Sequence, residues 1–330
     1  MEFPNRLQEL RKHSAIPEIL IDTIEAFYES YEQAVTQNGL NIADSQETLS
    51  TFLDLVISQL KEPFAFEPFH KKIREPKDLY RFGIEFIRPL VQLDQSRVTG
   101  LEIVDKVEAG IRKGENAILF ANHQIEPDPQ AISLLLEQTH PHLVDQMIFV
   151  AGHRVTTDPL AVPFSMGCNL LCIYSKNYID HPPEKKEKKI AHNQKTMKTM
   201  RDLLAEGGRC IYVAPSGGRD RPNASGVVEV APFDHQSIEM FQFIARQSKT
   251  PTRFYPLALN TYHLLPPPDQ INKGLGEARL PKSTPIQLAF GDEILFEQLP
   301  IPADLDKKNQ RIERSRLIHS LVDQLYRKIT

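Results

Sequence analysis

The stretch AILFANHQIEPDP (Ala117–Pro129) changes character twice. Ala117 to Ala121 form an unbroken apolar, strand-like run that stops at Asn122 and His123. Asp128 then stands between Pro127 and Pro129, whose rings restrict the backbone around it. The following PQAISLLLEQT reads as a helix, so the carboxylate at its start can fold back toward the imidazole.

Outward from this segment, short β-rich runs recur as QMIFVAG, LLCIYS, RCIYVAP, RFYPLAL and IQLAFGD. Helical stretches fall between them, notably EKKEKKIAHNQKTMKTMRDLLAEG and SIEMFQFIARQS. The alternation predicts an α/β fold on a mixed central sheet, with active residues in loops leaving the strand ends. Upstream the texture is helical. IPEILIDTIEAFYESYEQAV spaces its apolar side chains at three and four and closes on Asn38-Gly39. Asp44 and Glu47 form a capping-box pattern before TLSTFLDLVISQL. KEPFAFEPFHKKIREP, rich in proline, reads as a boundary. Residues 1–66 are therefore expected to form a small N-terminal helical bundle, and residues 67–330 a larger α/β domain.

At 330 residues, with 41% hydrophobic and 25% charged, the chain is ordinary for a globular protein and long enough for a large core. A net charge of -4 carries no global signature for nucleic acid. Cys168, Cys172 and Cys210 cannot build a disulfide framework and suit a reducing compartment as inert core thiols. No zinc-type cysteine pairs occur, and no metal is expected. The N-terminus lacks signal-peptide character, and no apolar run approaches the ~20 residues needed to span a bilayer. A cytoplasmic, soluble protein is expected, or a mature form that has lost a targeting segment, and any membrane contact should be peripheral.

Three of the eleven histidines precede an aspartate by five residues: His123 with Asp128, His140 with Asp145, and His153 with Asp158. Spacing does not choose among them. His140, in THPHLVD, is expected in a solvated loop, whereas His153 leaves a strand and rivals His123. A neutral imidazole can take a proton from an alcohol when its other nitrogen donates to a carboxylate, which sets the tautomer and stabilises the imidazolium. The bland alternative is that His123 caps a strand and Asp128 a helix. The segment alone leaves both open.

Downstream, GGRCIYVAPSGGRDRPN opens a strand into Ser216-Gly217-Gly218, then Arg219 and Arg221 around Asp220. Small residues let backbone N–H groups approach an anion, and guanidiniums bind phosphate oxygens bidentately. A surface hairpin with solvated arginines is the competing reading. Lys176, in YSKNY, follows another apolar strand, where a lysine is usually only a surface charge.

Together these blocks resemble the soluble glycerol-3-phosphate 1-acyltransferases of plant chloroplasts and their chlamydial relatives. NHQIEPDP is similar to that family's His-x4-Asp block, and VAGHRVTTDPLAVPFSMGCNLLCIYSK, APSGGRDRPN, APFD and YPLALNTYHLLPPP follow in the family's order. The resemblance covers roughly residues 80 to 330, and APSGGRDRP is its most specific piece. It implies acyl transfer from acyl-acyl carrier protein, or acyl-CoA, to the sn-1 hydroxyl of glycerol 3-phosphate, with no further cofactor. His123 would be the general base and Asp128 its orienting partner, while Arg219, Arg221 and Lys176 would hold the substrate phosphate. Family members commonly carry Asp at the His153 position, which weakens His153 as a base. They also read Ser-Lys-Lys-His where this chain has Ser175-Lys176-Asn177-Tyr178, so Asn177 and Tyr178 keep hydrogen-bonding capacity without positive charge.

Lys185, Lys186, Lys188 and Lys189 form a candidate docking patch for acidic acyl carrier protein. A lysophospholipid acyltransferase would need the same base and phosphate clamp. A catalytically silent phospholipid- or carrier-binding protein and a phosphate hydrolase are further alternatives. Intact His123 and Asp128 argue against the first of these, and the lack of a metal-ligand cluster against the second.

Overall fold

The apolar runs lie side by side as strands in the computed structural model, which describes residues 3–13, 16–175, 179–268 and 278–330. Five strands run parallel at the centre: β3 (Asn116–Ala121), β4 (Ile148–Gly152), β5 (Asn169–Ile173), β6 (Cys210–Val213) and β9 (Thr252–Asn260). The eight-stranded order is β1-β5-β4-β6-β3-β9-β10-β2. β1 (Phe69–His70) closes one edge antiparallel to β5. β10 (Gln287–Phe290) lies antiparallel to β9 and pairs with β2 (Arg97–Thr99) in parallel, so the sheet is mixed. A separate hairpin joins β7 (Arg221–Pro222) to β8 (Val228–Glu229).

Every residue of β3 is buried, because the strand has neighbours on both edges and helices on both faces. Its side chains alternate between two cores, as the pleat requires. Leu119 and Ala121 face a cluster with Ile132, Leu136, Leu257 and Leu259. Ile118 and Phe120 face Phe241, Ala258, Ile318 and Val322. The single polar member, Asn116, donates its Nδ2 to the Leu204 carbonyl at 2.8 Å and so is satisfied inside the sheet.

At the N-terminus, α1 (Phe3–His13), α2 (Glu18–Gln37) and α3 (Gln46–Lys61) share a third apolar cluster with α4 (Leu79–Ile87). Its centre is aromatic, with Phe86 4.9–5.2 Å from the rings of Tyr31, Phe52 and Phe164. The same cluster takes in Ile125, Ala131 and Leu134, so these helices pack onto the loop and helix that follow β3. The expected capping box does not form. Asn41, lying earlier in the chain, accepts from the Ala43 amide at 3.0 Å and winds Ile42–Ser45 into a 3₁₀ turn that contains Asp44. The helix then begins at Gln46.

Among the described residues, no helix is long and apolar enough to cross a membrane.

Candidate active site

The carboxyl ends of the parallel strands converge where α/β folds generally place their sites. β3 ends at Ala121, and its extension is locked to β9 through the side chain of Asn122. That amide accepts from the Leu259 N–H at 2.7 Å and donates to the Leu259 carbonyl at 2.9 Å, imitating a strand pair. Tyr212, at the end of β6, donates its hydroxyl to the Asn122 carbonyl at 2.6 Å. His123 thus follows a residue held by three hydrogen bonds, two to β9 and one to β6.

His123 Nδ1 lies 2.8 Å from Asp128 Oδ2. An ionised carboxylate only accepts, so Nδ1 carries the proton and Nε2 is the basic nitrogen. The same Oδ2 accepts from the Gln124 amide at 2.8 Å and the Ile125 amide at 3.3 Å. Oδ1 accepts from the Thr261 hydroxyl at 2.6 Å. Asp128 is fully buried and opens the helix Asp128–Leu136, with Pro127 before it and Pro129 in its first turn. The imidazole is partly exposed, at 28%, and faces a cavity.

The loop after β6 brings Arg219 and Arg221 to the wall of that cavity. A hairpin is present, as β7 and β8, yet Arg219 is only 13% exposed, so a solvated arginine turn does not describe it. Its guanidinium lies 3.8 Å from Glu126 Oε1, while Arg221 donates to the Pro268 carbonyl at 2.8 Å. Between them Asp220 is fully buried. Its amide donates to the His123 carbonyl at 2.7 Å, and its Oδ2 accepts from Asn122 Nδ2 at 2.7 Å and Gln124 Nε2 at 3.2 Å. Oδ1 accepts from the Ala231 amide at 2.9 Å. Burial nevertheless pushes the Asp220 carboxyl up to about 6.

A buried ion network adjoins the arginines. Arg279 grips Glu126 through two nitrogens, at 2.6 and 3.0 Å, and reaches Asp158 Oδ2 at 2.9 Å. Burial favours the neutral form of Glu126, but the Arg279, Arg219 and Arg154 charges outweigh it and hold the carboxyl below its ordinary value. Glu126 and Gln124 lie inside the stretch Ala117–Pro129. Nothing local marks their distant partners Arg279, Thr261 and Tyr262, or the buried role of Asp220.

The cavity holds about 900 Å³. His123, Arg219, Arg221 and Arg279 line its polar part, and Phe27, Phe52 and Phe86 bring the N-terminal aromatic cluster to its wall. Met197, Met240 and Phe241 add to the apolar lining. The arrangement brings an imidazole, guanidinium groups and a large apolar lining into one space.

Other expectations resolve differently. His140 is not in a solvated loop: it is 5% exposed and engages Asp105 at 3.0 Å, because its backbone leads the short helix at Pro141–Gln146 into the sheet. His153 lines the cavity with its ring 4.8 Å from that of Tyr174, but Asp158 accepts from Arg279 and the Leu160 amide. Burial, then Lys189, Lys185 and His192, lower the His153 pKa. Lys189 is not a surface charge; it is buried, donates to the His181 carbonyl and lies over the Tyr174 ring at 5.4 Å. Lys185, Lys186 and Lys188 are exposed. Lys176, Asn177 and Tyr178 lie outside the described residues. All three cysteines are buried, and burial pushes each thiol up to about 12. No group of three metal-binding side chains occurs among the described residues.

Comparison with known proteins converges on one family. The profile of the Acyltransferase family matches residues 95–259. The glycerol-3-phosphate acyltransferase, chloroplastic, of Spinacia oleracea is 37% identical over 96% of this chain and 69% of its own length. The Arabidopsis thaliana protein of the same name is 39% identical over 92% of this chain and 66% of its own. The Cucurbita moschata glycerol-3-phosphate acyltransferase ATS12, chloroplastic, is 40% identical over 84% and 60%. Among solved structures, the 1-acyl-sn-glycerophosphate (LPA) acyltransferase PlsC of Thermotoga maritima aligns over 75% of this chain and 78% of its own, with a TM-score of 0.40 and 18% identity. The chain belongs to the acyltransferase family that includes these chloroplastic enzymes.

Proposed function

We propose that the chain moves a fatty acyl group from an acyl thioester to the sn-1 hydroxyl of glycerol 3-phosphate, giving lysophosphatidate and a free thiol. One observation carries this reading: His123, paired with Asp128, shares a single cavity with Arg219, Arg221 and a large apolar wall. The names of the chloroplastic relatives state the same acceptor.

In the scheme, the arginines hold the acceptor phosphate by charge-assisted hydrogen bonds, and Lys176 is assigned to the same group. The acyl chain occupies the apolar recess. His123 Nε2 removes the proton from the primary hydroxyl as its oxygen attacks the thioester carbonyl, and Asp128 stabilises the imidazolium through Nδ1–H. Collapse of the tetrahedral intermediate breaks the C–S bond. The imidazolium returns the proton to the departing sulfur, which restores the neutral base. The chain, acceptor and thioester supply every group the scheme uses.

Acyl carrier protein is the proposed donor, docked on the exposed Lys185, Lys186 and Lys188. Lys186 and Lys188 lie in the helix Lys186–Glu206, with Lys185 at its N-cap, and the same helix contributes Asn193 and Met197 to the cavity wall. A water-soluble acceptor and carrier fit a cytoplasmic setting with only peripheral membrane contact. The test is a two-by-two assay of acyl carrier protein and coenzyme A thioesters against glycerol 3-phosphate and a lysophospholipid. Highest kcat/KM with glycerol 3-phosphate and the carrier thioester is expected. Turnover of the lysophospholipid alone would overturn the acceptor assignment.

A further inference from the structure

Asp220 takes no part in the scheme above, yet it is among the most completely engaged carboxylates of the chain. Asn122 and Gln124, which flank His123, both donate to its Oδ2, and its own amide holds the His123 carbonyl. The residue therefore grips the base-bearing segment by side chain and backbone together. Its sequence neighbours are Arg219 and Arg221, the two arginines on the cavity wall.

The network continues beyond it. Gln124 Oε1 accepts from the Thr261 and Tyr262 amides at 2.6 and 2.8 Å, and the Thr261 hydroxyl donates to Asp128. A closed chain of hydrogen bonds thus runs from the arginine loop through Asp220, Gln124 and Thr261 to the His123–Asp128 pair. Three N–H donors converge on the Asp220 carboxylate from Asn122, Gln124 and Ala231. Both of its oxygens are needed as acceptors. Asparagine would offer one acceptor oxygen and turn an NH₂ against a donor.

We propose that Asp220 is a positioning residue that fixes the distance between the phosphate-binding loop and the base, so that the enzyme measures the spacing between phosphate and hydroxyl in its acceptor. The inference rests on the acyl-transfer reading given above. An acceptor anchored by its phosphate can present its hydroxyl to Nε2 only if the two loops keep one separation. Orientation of this kind is lost steeply with small displacements.

The experiment is a molecular ruler. Wild type and Asp220→Asn are assayed with glycerol 3-phosphate, with 2-hydroxyethyl phosphate, one carbon shorter, and with 3,4-dihydroxybutyl phosphate, one carbon longer. Wild type is expected to discriminate strongly for glycerol 3-phosphate. In Asp220→Asn, kcat/KM for glycerol 3-phosphate should fall about 10- to 100-fold, the range for a lost hydrogen bond to a charged group, while the preference among the three acceptors flattens and the donor KM holds. Unchanged kcat/KM, or an equal proportional loss on all three acceptors, overturns the inference. Should the asparagine variant fail to fold, Asp220→Ser keeps a small acceptor with room for a water and carries the same comparison. Failure of both to fold assigns the carboxylate to stability alone and also overturns it. A wild-type protein inactive on all three phosphates would instead defeat the acyl-transfer reading on which this one stands.

Discussion

In the proposed mechanism His123 needs its second nitrogen fixed, and Asp128 meets Nδ1 from a buried position with four donors around it. His123→Ala should lower kcat by on the order of 10²–10⁴-fold, the usual range for loss of a general base. Asp128→Asn should come close to that loss, because an amide NH₂ facing Nδ1 favours the tautomer protonated at Nε2. A folded His123→Ala protein with near wild-type turnover would defeat the mechanism. Asp220 gives a thermodynamic test. Its folded carboxyl titrates at about 6 against an ordinary 3.8. Its contribution to stability is full below the unfolded value and is lost as pH rises through the folded one, by up to about 3 kcal/mol. The wild-type advantage over Asp220→Asn in urea unfolding should therefore shrink by about 2 kcal/mol between pH 4 and pH 7. A difference flat with pH would show that the carboxyl titrates normally. His123 and Asp128 were legible because both partners lie in one short, proline-stiffened stretch. Asp220 was not, since Asn122 and Gln124 meet it only after the sheet has formed.

The strands were legible as elements because β3, β4, β5, β6 and β9 are buried runs bounded by turns, and such runs look alike whatever surrounds them. Short edge pieces such as β1 and β2 carry too few residues to show a period. Capping was harder to read: Asp44 matched a motif, but Asn41 held the preceding turn. Lys189 and His140 were misassigned for a related reason, since only packing decides that a polar side chain is covered. Packing also supplies a prediction at this scale. Gly167 follows Val162–Ser165, and a Cβ there would lie 2.3 Å from the Leu79 carbonyl oxygen and 2.9 Å from the Tyr80 nitrogen. Backbone cannot yield as a side chain can, so Gly167→Ala should destabilise the fold by about 1–3 kcal/mol through overpacking. Gly152→Ala has open space and φ of -77°, and serves as the control with little effect. Equal melting temperatures for the two variants would contradict this packing.

At the scale of the whole molecule, the N-terminal aromatic cluster, the strand ends and the arginine loop enclose one space. Its volume of about 900 Å³ is at the upper end of ordinary small-molecule pockets, which run to about 1,000 Å³, and so has room for acyl chain and acceptor together. Direct attack requires that both be bound at once, so initial-rate kinetics should be sequential, with intersecting reciprocal plots. A ping-pong pattern would need a nucleophile on the protein to carry the acyl group. Cysteine is the side chain most suited to that task, but Cys168, Cys172 and Cys210 are all buried with thiols pushed up to about 12. Scarcely any thiolate exists at neutral pH under those conditions. Replacing all three by alanine should therefore lower stability, through the small cavities left in the core, while keeping most of the kcat of the folded enzyme. Parallel reciprocal plots, or an acyl-thioester trapped on any of the three, would show that the acyl group passes through the protein and that His123 activates something other than the acceptor hydroxyl.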